Sequence, residues 1–214
     1  LLSAFLYFFF EKTADAACLL PANKFRYDIF NDDRPVGGAW IDFTRNGQQT
    51  KVSTLIQVKV KFLFLIPILN YRHQSEEIWV DGAFHRFTGQ TIDNGRAYDI
   101  RITPNSKGFD VTTNGVVSKI TAPLLSHVVW CERTLQSPKI FSPLKGRMKD
   151  MNFEYLGEEV IAGATRDQTT RAYAVTKLRK GALRRGNIWY GKDGVVIKAR
   201  FPSKRGTMVT FTLQ

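Results

Sequence analysis

His73, Ser75 and Glu77 occupy alternate positions of the stretch HQSEEIW. A base, a hydroxyl nucleophile and a carboxylate are the groups that acyl transfer and acid–base catalysis require. Residues two apart on a strand share one face, so a strand over this stretch puts all three on the same side. Two considerations weaken a hydrolase reading. Residues two apart are already ~6.5 Å apart along a strand, and the same alternation is what the wet side of a half-buried strand needs. The three are therefore expected on the solvent face. Glu76 and Glu77 point to opposite faces and cannot act as the paired carboxylates of a glycosidase. His127 and Cys131 stand one helical turn apart, a spacing suited to metal ligation or to a nucleophile pair. A chain with two cysteines and three histidines has few further ligands to complete such a site. No G-x-S-x-G elbow, H-E-x-x-H pair, C-x-x-C, P-loop or Rossmann glycine pattern occurs. The expectation is a protein that is not an enzyme and holds no cofactor or metal.

The elements around these residues are strands. Asn-Gly and Asp-Gly recur in RNGQ at Arg45, VDGA at Val80, DNGR at Asp93, TNGV at Thr113 and KDGV at Lys192. These dipeptides tolerate the positive φ of tight hairpin turns, so each should join antiparallel neighbours. Between them the chain alternates apolar and polar residues, as in KFRYDIF, AWIDFT, AYDIRIT and VVIKARF. After Ile120 the rhythm breaks: residues 122–138 hold Pro123 and Pro138 at their ends, with Leu124, Leu125, Val128, Val129 and Leu135 between. That composition suits a short helix or packed loop. The predicted fold is all-β: a strongly curved antiparallel sheet, a half-barrel clamp or open barrel, with one helical or loop plug around residues 122–138. So many antiparallel strands rarely stay flat. Residues 18–214 are read as a single domain.

The N-terminal LLSAFLYFFF is too short to span a bilayer at ~20 residues but fits the apolar region of a signal peptide. Ala14, Asp15 and Ala16 then supply an A-x-A cleavage pattern, so residues 1–17 are read as part of an export signal. An uncleaved anchor and a lipid-bearing Cys18 are the competing readings. In an oxidising compartment Cys18 and Cys131 could pair. A formal net charge of +12 favours anionic partners. The densest basic run, KLRKGALRR, is read as a loop whose Lys177, Arg179, Lys180, Arg184 and Arg185 are candidates for contact with an anionic membrane surface. Aromatic residues among these charges would also suit single-stranded nucleic acid, but an exported protein meets little of it, and no nucleic-acid partner is expected.

In KVKFLFLIPILNYRHQ the phase of Val58, Val60, Phe62, Phe64, Ile66 and Ile68 stays apolar, while the other changes from Lys59 and Lys61 to Leu63, Leu65 and Leu69. Pro67 lacks an N–H and requires a bulge or an edge position. The segment is too short for a membrane span, and a strand covered on both sides would account for it. The sharper reading makes Phe62, Phe64, Ile66 and Ile68, with Tyr71, Trp79, Trp130 and Trp189, the lining of a pocket for a lipid or other apolar molecule.

This stretch, its continuation SEEIWVDGAFHRFTGQTIDNGRAYDI, the Trp130 segment and the closing NIWYGKDGVVIKARFP and GTMVTFTLQ resemble an exported bacterial family catalogued as a domain of unknown function. Members of that family are similar to the half-barrel clamp of LolA and LolB type lipoprotein carriers. The resemblance covers roughly Phe25 to Leu213 and implies a curved sheet around a plug with an apolar concavity. The expected function is that of an exported, periplasmic protein binding a hydrophobic or amphiphilic ligand, such as a lipid or a lipoprotein acyl chain. The alternative is a structural or adaptor envelope protein, its core filled by its own side chains and its basic surface docked on the membrane or on an envelope protein.

Overall fold

A computed structural model describes residues 23–62, 66–121, 132–137, 139–143, 145–162, 167–179, 182–203 and 206–214. Eight strands run from the N-terminal side: β1 (Lys24–Asn31), β2 (Arg34–Asn46), β3 (Gln49–Phe62), β4 (Ile66–Val80), β5 (Ala83–Asp93), β6 (Arg96–Asn105), β7 (Gly108–Thr113) and β8 (Val116–Ile120). A single 3-10 turn, Glu132–Gln136, precedes a short hairpin of β9 (Lys139–Ser142) and β10 (Arg147–Asp150). Five strands follow: β11 (Asn152–Ala162), β12 (Asp167–Arg179), β13 (Ala182–Tyr190), β14 (Val196–Pro202) and β15 (Met208–Leu213).

The glycine turns fall where their chemistry puts them. Asp81–Gly82, Asn94–Gly95 and Asn114–Gly115 all have positive φ at both positions, as tight hairpins require. They join β4 to β5, β5 to β6 and β7 to β8. The turn between β1 and β2 has no glycine; Asp32 takes a φ of 53° there, an angle that short polar side chains tolerate.

β1 to β8 form one meander and β11 to β15 another, and the two fuse where β15 pairs with β1, from Tyr27 opposite Leu213 to Asn31 opposite Val209. The result is one antiparallel sheet of 13 strands, not closed into a barrel, with β8 and β11 at its edges. Among the strands of this sheet β8 and β11 follow one another in the chain but lie at opposite edges, so the chain between them crosses from one edge to the other. The break after Ile120 is this crossing. The plug reaches further than residues 122–138: the β9–β10 hairpin, over Lys139–Asp150, belongs to it. Strand character in MKD therefore does not mark a return to the large sheet.

The crossing shows that the sheet curves. Glu132 binds Arg171 of β12, and a Cβ placed on Gly146 would touch Thr113 of β7. β12 and β7 are ten strand positions apart, which is ~48 Å across a flat sheet at ~4.8 Å per strand. From Gly146, against β7, to Asn152, the first residue of β11, the chain spans at most ~20 Å at ~3.3 Å per residue, although β7 and β11 are eleven strand positions apart, ~53 Å on a flat sheet at ~4.8 Å per strand. On the concave side Tyr27, Ile29, Ile41, Val52, Phe87, Ile102, Val111, Ile188 and Tyr190 form one core cluster with Leu135 and Phe141 of the crossing.

Candidate functional site

Two of the pocket residues read from the sequence, Trp79 and Trp189, lie on opposite sides of the sheet. Trp79 is buried on the concave side, edge-on to Phe84 at 5.6 Å between ring centroids. Trp189 lies on the convex side, opposite Ala172, where its indole donates to Glu159 Oε2 at 2.9 Å under Lys198. Adjacent residues of β13 face opposite ways, and Ile188 and Tyr190 hold the inward phase. Trp130, Phe64 and the candidate pair Cys18 and Cys131 lie outside the described residues, as do residues 1–17 and His127.

Phe62, Ile66 and Ile68 belong to the far end of the β3–β4 hairpin. The ladder shifts register between Val60, opposite Leu69, and Lys61, opposite Pro67. Ile68 is thus the extra residue of a bulge, the device that Pro67 demanded. β2 accompanies β3 only as far as Val58, and β5 accompanies β4 only from Tyr71. Beyond those rungs the hairpin continues for about 13 Å at ~3.3 Å per residue with no further strand beside it among the described residues. Tyr71 stands at its base, with a buried hydroxyl that has no hydrogen-bond partner among the described residues and whose pKa is raised by burial.

His73, Ser75 and Glu77 are not on the wet face. They are 1%, 3% and 0% exposed, in line with Trp79 on the concave side. Nor does their spacing keep them apart: His73 Nε2 lies 3.0 Å from Ser75 Oγ, because the imidazole leans along the strand. Its Nδ1 meets Thr91 Oγ1 of β5 at 2.8 Å. Glu77 lies beyond Ser75 and instead accepts from Trp79 Nε1 at 3.0 Å. The group behind the imidazole is thus a threonine hydroxyl and not a carboxylate. The Phe87 ring stacks 13° from parallel on His73 and fills the space above Gly89, where a Cβ would come 2.6 Å from Cζ. Burial pushes the His73 pKa down to about 4, which makes a poor base for chemistry near neutral pH. The arrangement is a polar cluster whose histidine is satisfied within the core.

Thr54, opposite Ser75 on β3, is 3% exposed, and its hydroxyl has no partner among the described residues. Thr54→Val keeps the shape and removes an unsatisfied group, so it should leave stability unchanged or raise it by up to about 1 kcal/mol in urea unfolding.

A second polar constellation was not legible from spacing. Glu132 Oε1 accepts from Arg171 Nε at 2.8 Å and from the Tyr173 hydroxyl at 2.7 Å, and Oε2 accepts from Arg171 Nη2 at 2.8 Å. Arg171 also donates to the Gly191 carbonyl at 3.1 Å. Hydrogen bonds from Arg171 hold the Glu132 carboxyl below the usual range, while burial and then Glu132 push Tyr173 up to about 12. This bidentate latch fixes the crossing to β12. Glu132→Ala is expected to cost about 1–2 kcal/mol and to speed amide exchange in the 3-10 turn before the sheet.

The basic run is not a loop. Lys177 and Arg179 fall on β12, and Arg184 and Arg185 on β13, in a register that sets Lys177 opposite Arg184; Lys180 is outside the described residues. Arg184 donates to the Ser203 carbonyl, and Arg185 pairs with Glu154 at 3.5 Å.

On the convex side of β1 to β3 lies a groove of about 320 Å³ lined by Arg26, Asp28, Gly38, Trp40, Gln57 and Lys59, among others. Trp40 is 38% exposed there. No group of three or more potential metal ligands occurs among the described residues.

Comparison with known families gives a match over this whole sheet: the family model described as a domain of unknown function (DUF6134) aligns with residues 27–214. The chain belongs to the DUF6134 family. No curated protein and no solved structure matches it. The DUF6134 region thus begins at Tyr27, the residue that pairs with Leu213 at the junction of the two meanders, and it includes the crossing and both edges.

Proposed function

We propose that this DUF6134 chain is an exported, non-enzymatic binding protein that takes a hydrophobic or amphiphilic ligand, such as a lipid or a lipoprotein acyl chain, at the far end of the β3–β4 hairpin. The observation that carries this reading is the hairpin itself, which outruns the strands on both sides in the stretch where the sequence is apolar without interruption from Phe62 to Leu69. A two-stranded ladder is marginal in water unless something covers it. Acyl chains offer such cover at ~0.8 kcal/mol per buried CH₂. The apolar run and A-x-A pattern at the N-terminus support a periplasmic location, and the ligand class rests on the apolar character of this stretch. Of the candidate lining residues, Phe62, Ile66, Ile68 and Tyr71 fall on the strands of this hairpin; Trp79 and Trp189 lie away from its far end.

Native mass spectrometry of the protein purified from its own envelope fraction tests this directly. Lipid retained at stoichiometric occupancy is the expected result, and a mass that stays bare after lipid is added ends the proposal. The double variant Phe64→Asp with Ile68→Asp should lower lipid occupancy about tenfold or more, equivalent to ~1.4 kcal/mol, with an unchanged thermal midpoint.

The packed concave side supports a second reading. Leu135, Ile140 and Phe141 of the crossing are buried, the state expected of an adaptor whose core is self-filled and whose basic surface docks on an anionic membrane or an envelope protein.

A further inference from the structure

The groove on the convex side is built from residues that neither reading uses. In the ladder Asp28 lies opposite Gly38 and Gly38 opposite Gln57, while Arg26 lies opposite Trp40. Gly38 therefore leaves a notch between a carboxylate on β1 and a carboxamide on β3. The Trp40 indole leans over this notch: a Cβ on Gly38 would lie 3.0 Å from Cη2 and 3.3 Å from Cζ2. The ring is thus held at one edge by backbone, with a substantial part of its surface in water. Gln214 adds a second carboxamide, and its Nε2 donates to Asp28 Oδ1 at 3.0 Å. Arg26 and Lys59 bring two cations to the rim against the one carboxylate, and neither makes an ion pair among the described residues.

We propose that this groove binds an acidic sugar residue, a pyranose ring that carries a carboxylate. An aromatic face fixed by its edge on Gly38 accepts the flat C–H surface of a ring. Two carboxamides and a carboxylate offer both donors and acceptors for its hydroxyls. Arg26 and Lys59 then take the carboxylate by charge-assisted hydrogen bonds. A volume of about 320 Å³ is at the small end for ligand sites and suits one ring with its substituents. Nucleic acid is the less suitable occupant: strand binders stack successive bases on several aromatic platforms, whereas the exposed aromatic ring of this groove is Trp40 alone. The inference stands on the convex side and does not depend on lipid binding at the hairpin.

The test uses the whole chain labelled with ¹⁵N, titrated with methyl β-D-glucuronide, methyl β-D-glucoside and AMP while the Trp40 indole N–H and, in every variant, the backbone amides of the groove residues Gly37, Gly38 and Gln57 are followed. The Trp40 resonance is assigned by its loss in Trp40→Ala. The glucuronide should shift it with Kd of about 1 mM or tighter, and the neutral glucoside should bind about tenfold more weakly. Trp40→Ala should weaken glucuronide binding about tenfold or more. Arg26→Gln with Lys59→Gln should bring the glucuronide down to the affinity of the glucoside and leave the glucoside unchanged. All of these positions are on the surface, so thermal midpoints should stay at the wild-type value. Absence of any shift with the glucuronide overturns the proposal, as does binding that survives Trp40→Ala. AMP binding more tightly than the glucuronide would reassign the groove to nucleotides and overturn it equally.

Discussion

Lowering the pH from 6.5 to 4 is expected to remove roughly 3 kcal/mol of folding stability through His73 alone. Burial pushes its pKa from 6.5 down to about 4. Between those values the unfolded chain binds a proton that the folded chain refuses, so acid favours unfolding. The contribution is fully present above pH 6.5 and is lost as pH falls through about 4. The surroundings explain why the proton is refused. The two ring nitrogens face Ser75 and Thr91, Phe87 covers the ring, and Glu77 is engaged with Trp79 beyond Ser75. Urea unfolding of wild type and His73→Gln at several pH values isolates the effect. The wild type should be the more stable near pH 7.5, and its advantage should shrink by roughly 3 kcal/mol by pH 4. An advantage that stays constant with pH would show that His73 titrates alike in both states and sink the explanation.

The same cluster shows where a sequence stops being readable. Asn-Gly and Asp-Gly turns are legible because positive φ is a property of two adjacent residues. Pro67 is legible in the same way: its missing N–H required a bulge, and Ile68 supplies it. The phase of β4 was misjudged because polarity stood in for exposure. His73 can be buried only because Thr91 lies across from it, and that neighbour exists only after β4 pairs with β5. Glu132 meets Arg171 and Tyr173 from 39 and 41 residues away, a distance over which no local pattern carries information. The junction of β1 with β15 is equally silent, since it depends on the two ends of the chain meeting in the middle of the sheet. Trp40 could have been found. Ala39, Ile41 and Phe43 take the inward phase of β2, so the tryptophan between the first two has to face outward, and its same-face neighbour on one side, Gly38, has no side chain to cover it.

Phe141→Ala tells whether the crossing fills the concave side permanently or can be displaced from it. Phe141 is 1% exposed, on the short strand β9, and belongs to the same core cluster as Phe87 and Tyr190. If the crossing is the permanent filling of the concave side, deleting this ring removes a central core residue. Stability should then fall by about 3–5 kcal/mol, with the whole sheet unfolding in one cooperative transition. A clamp whose ligand displaces the crossing would behave otherwise: the crossing would be a local unit of low stability, detaching before the sheet at little global cost. Amide exchange in β9 and β10 reads the difference, because a permanent filling exchanges with the core and a displaceable one far ahead of it. The number of side chains the crossing commits to the core favours the first outcome. Leu135 and Phe141 join the main cluster, Ile140 is 1% exposed, and Thr134 and Ser142 are buried beside them. Lipid binding at the β3–β4 hairpin is compatible with that outcome, since a ligand held beyond the last shared rungs need not displace what fills the concave side.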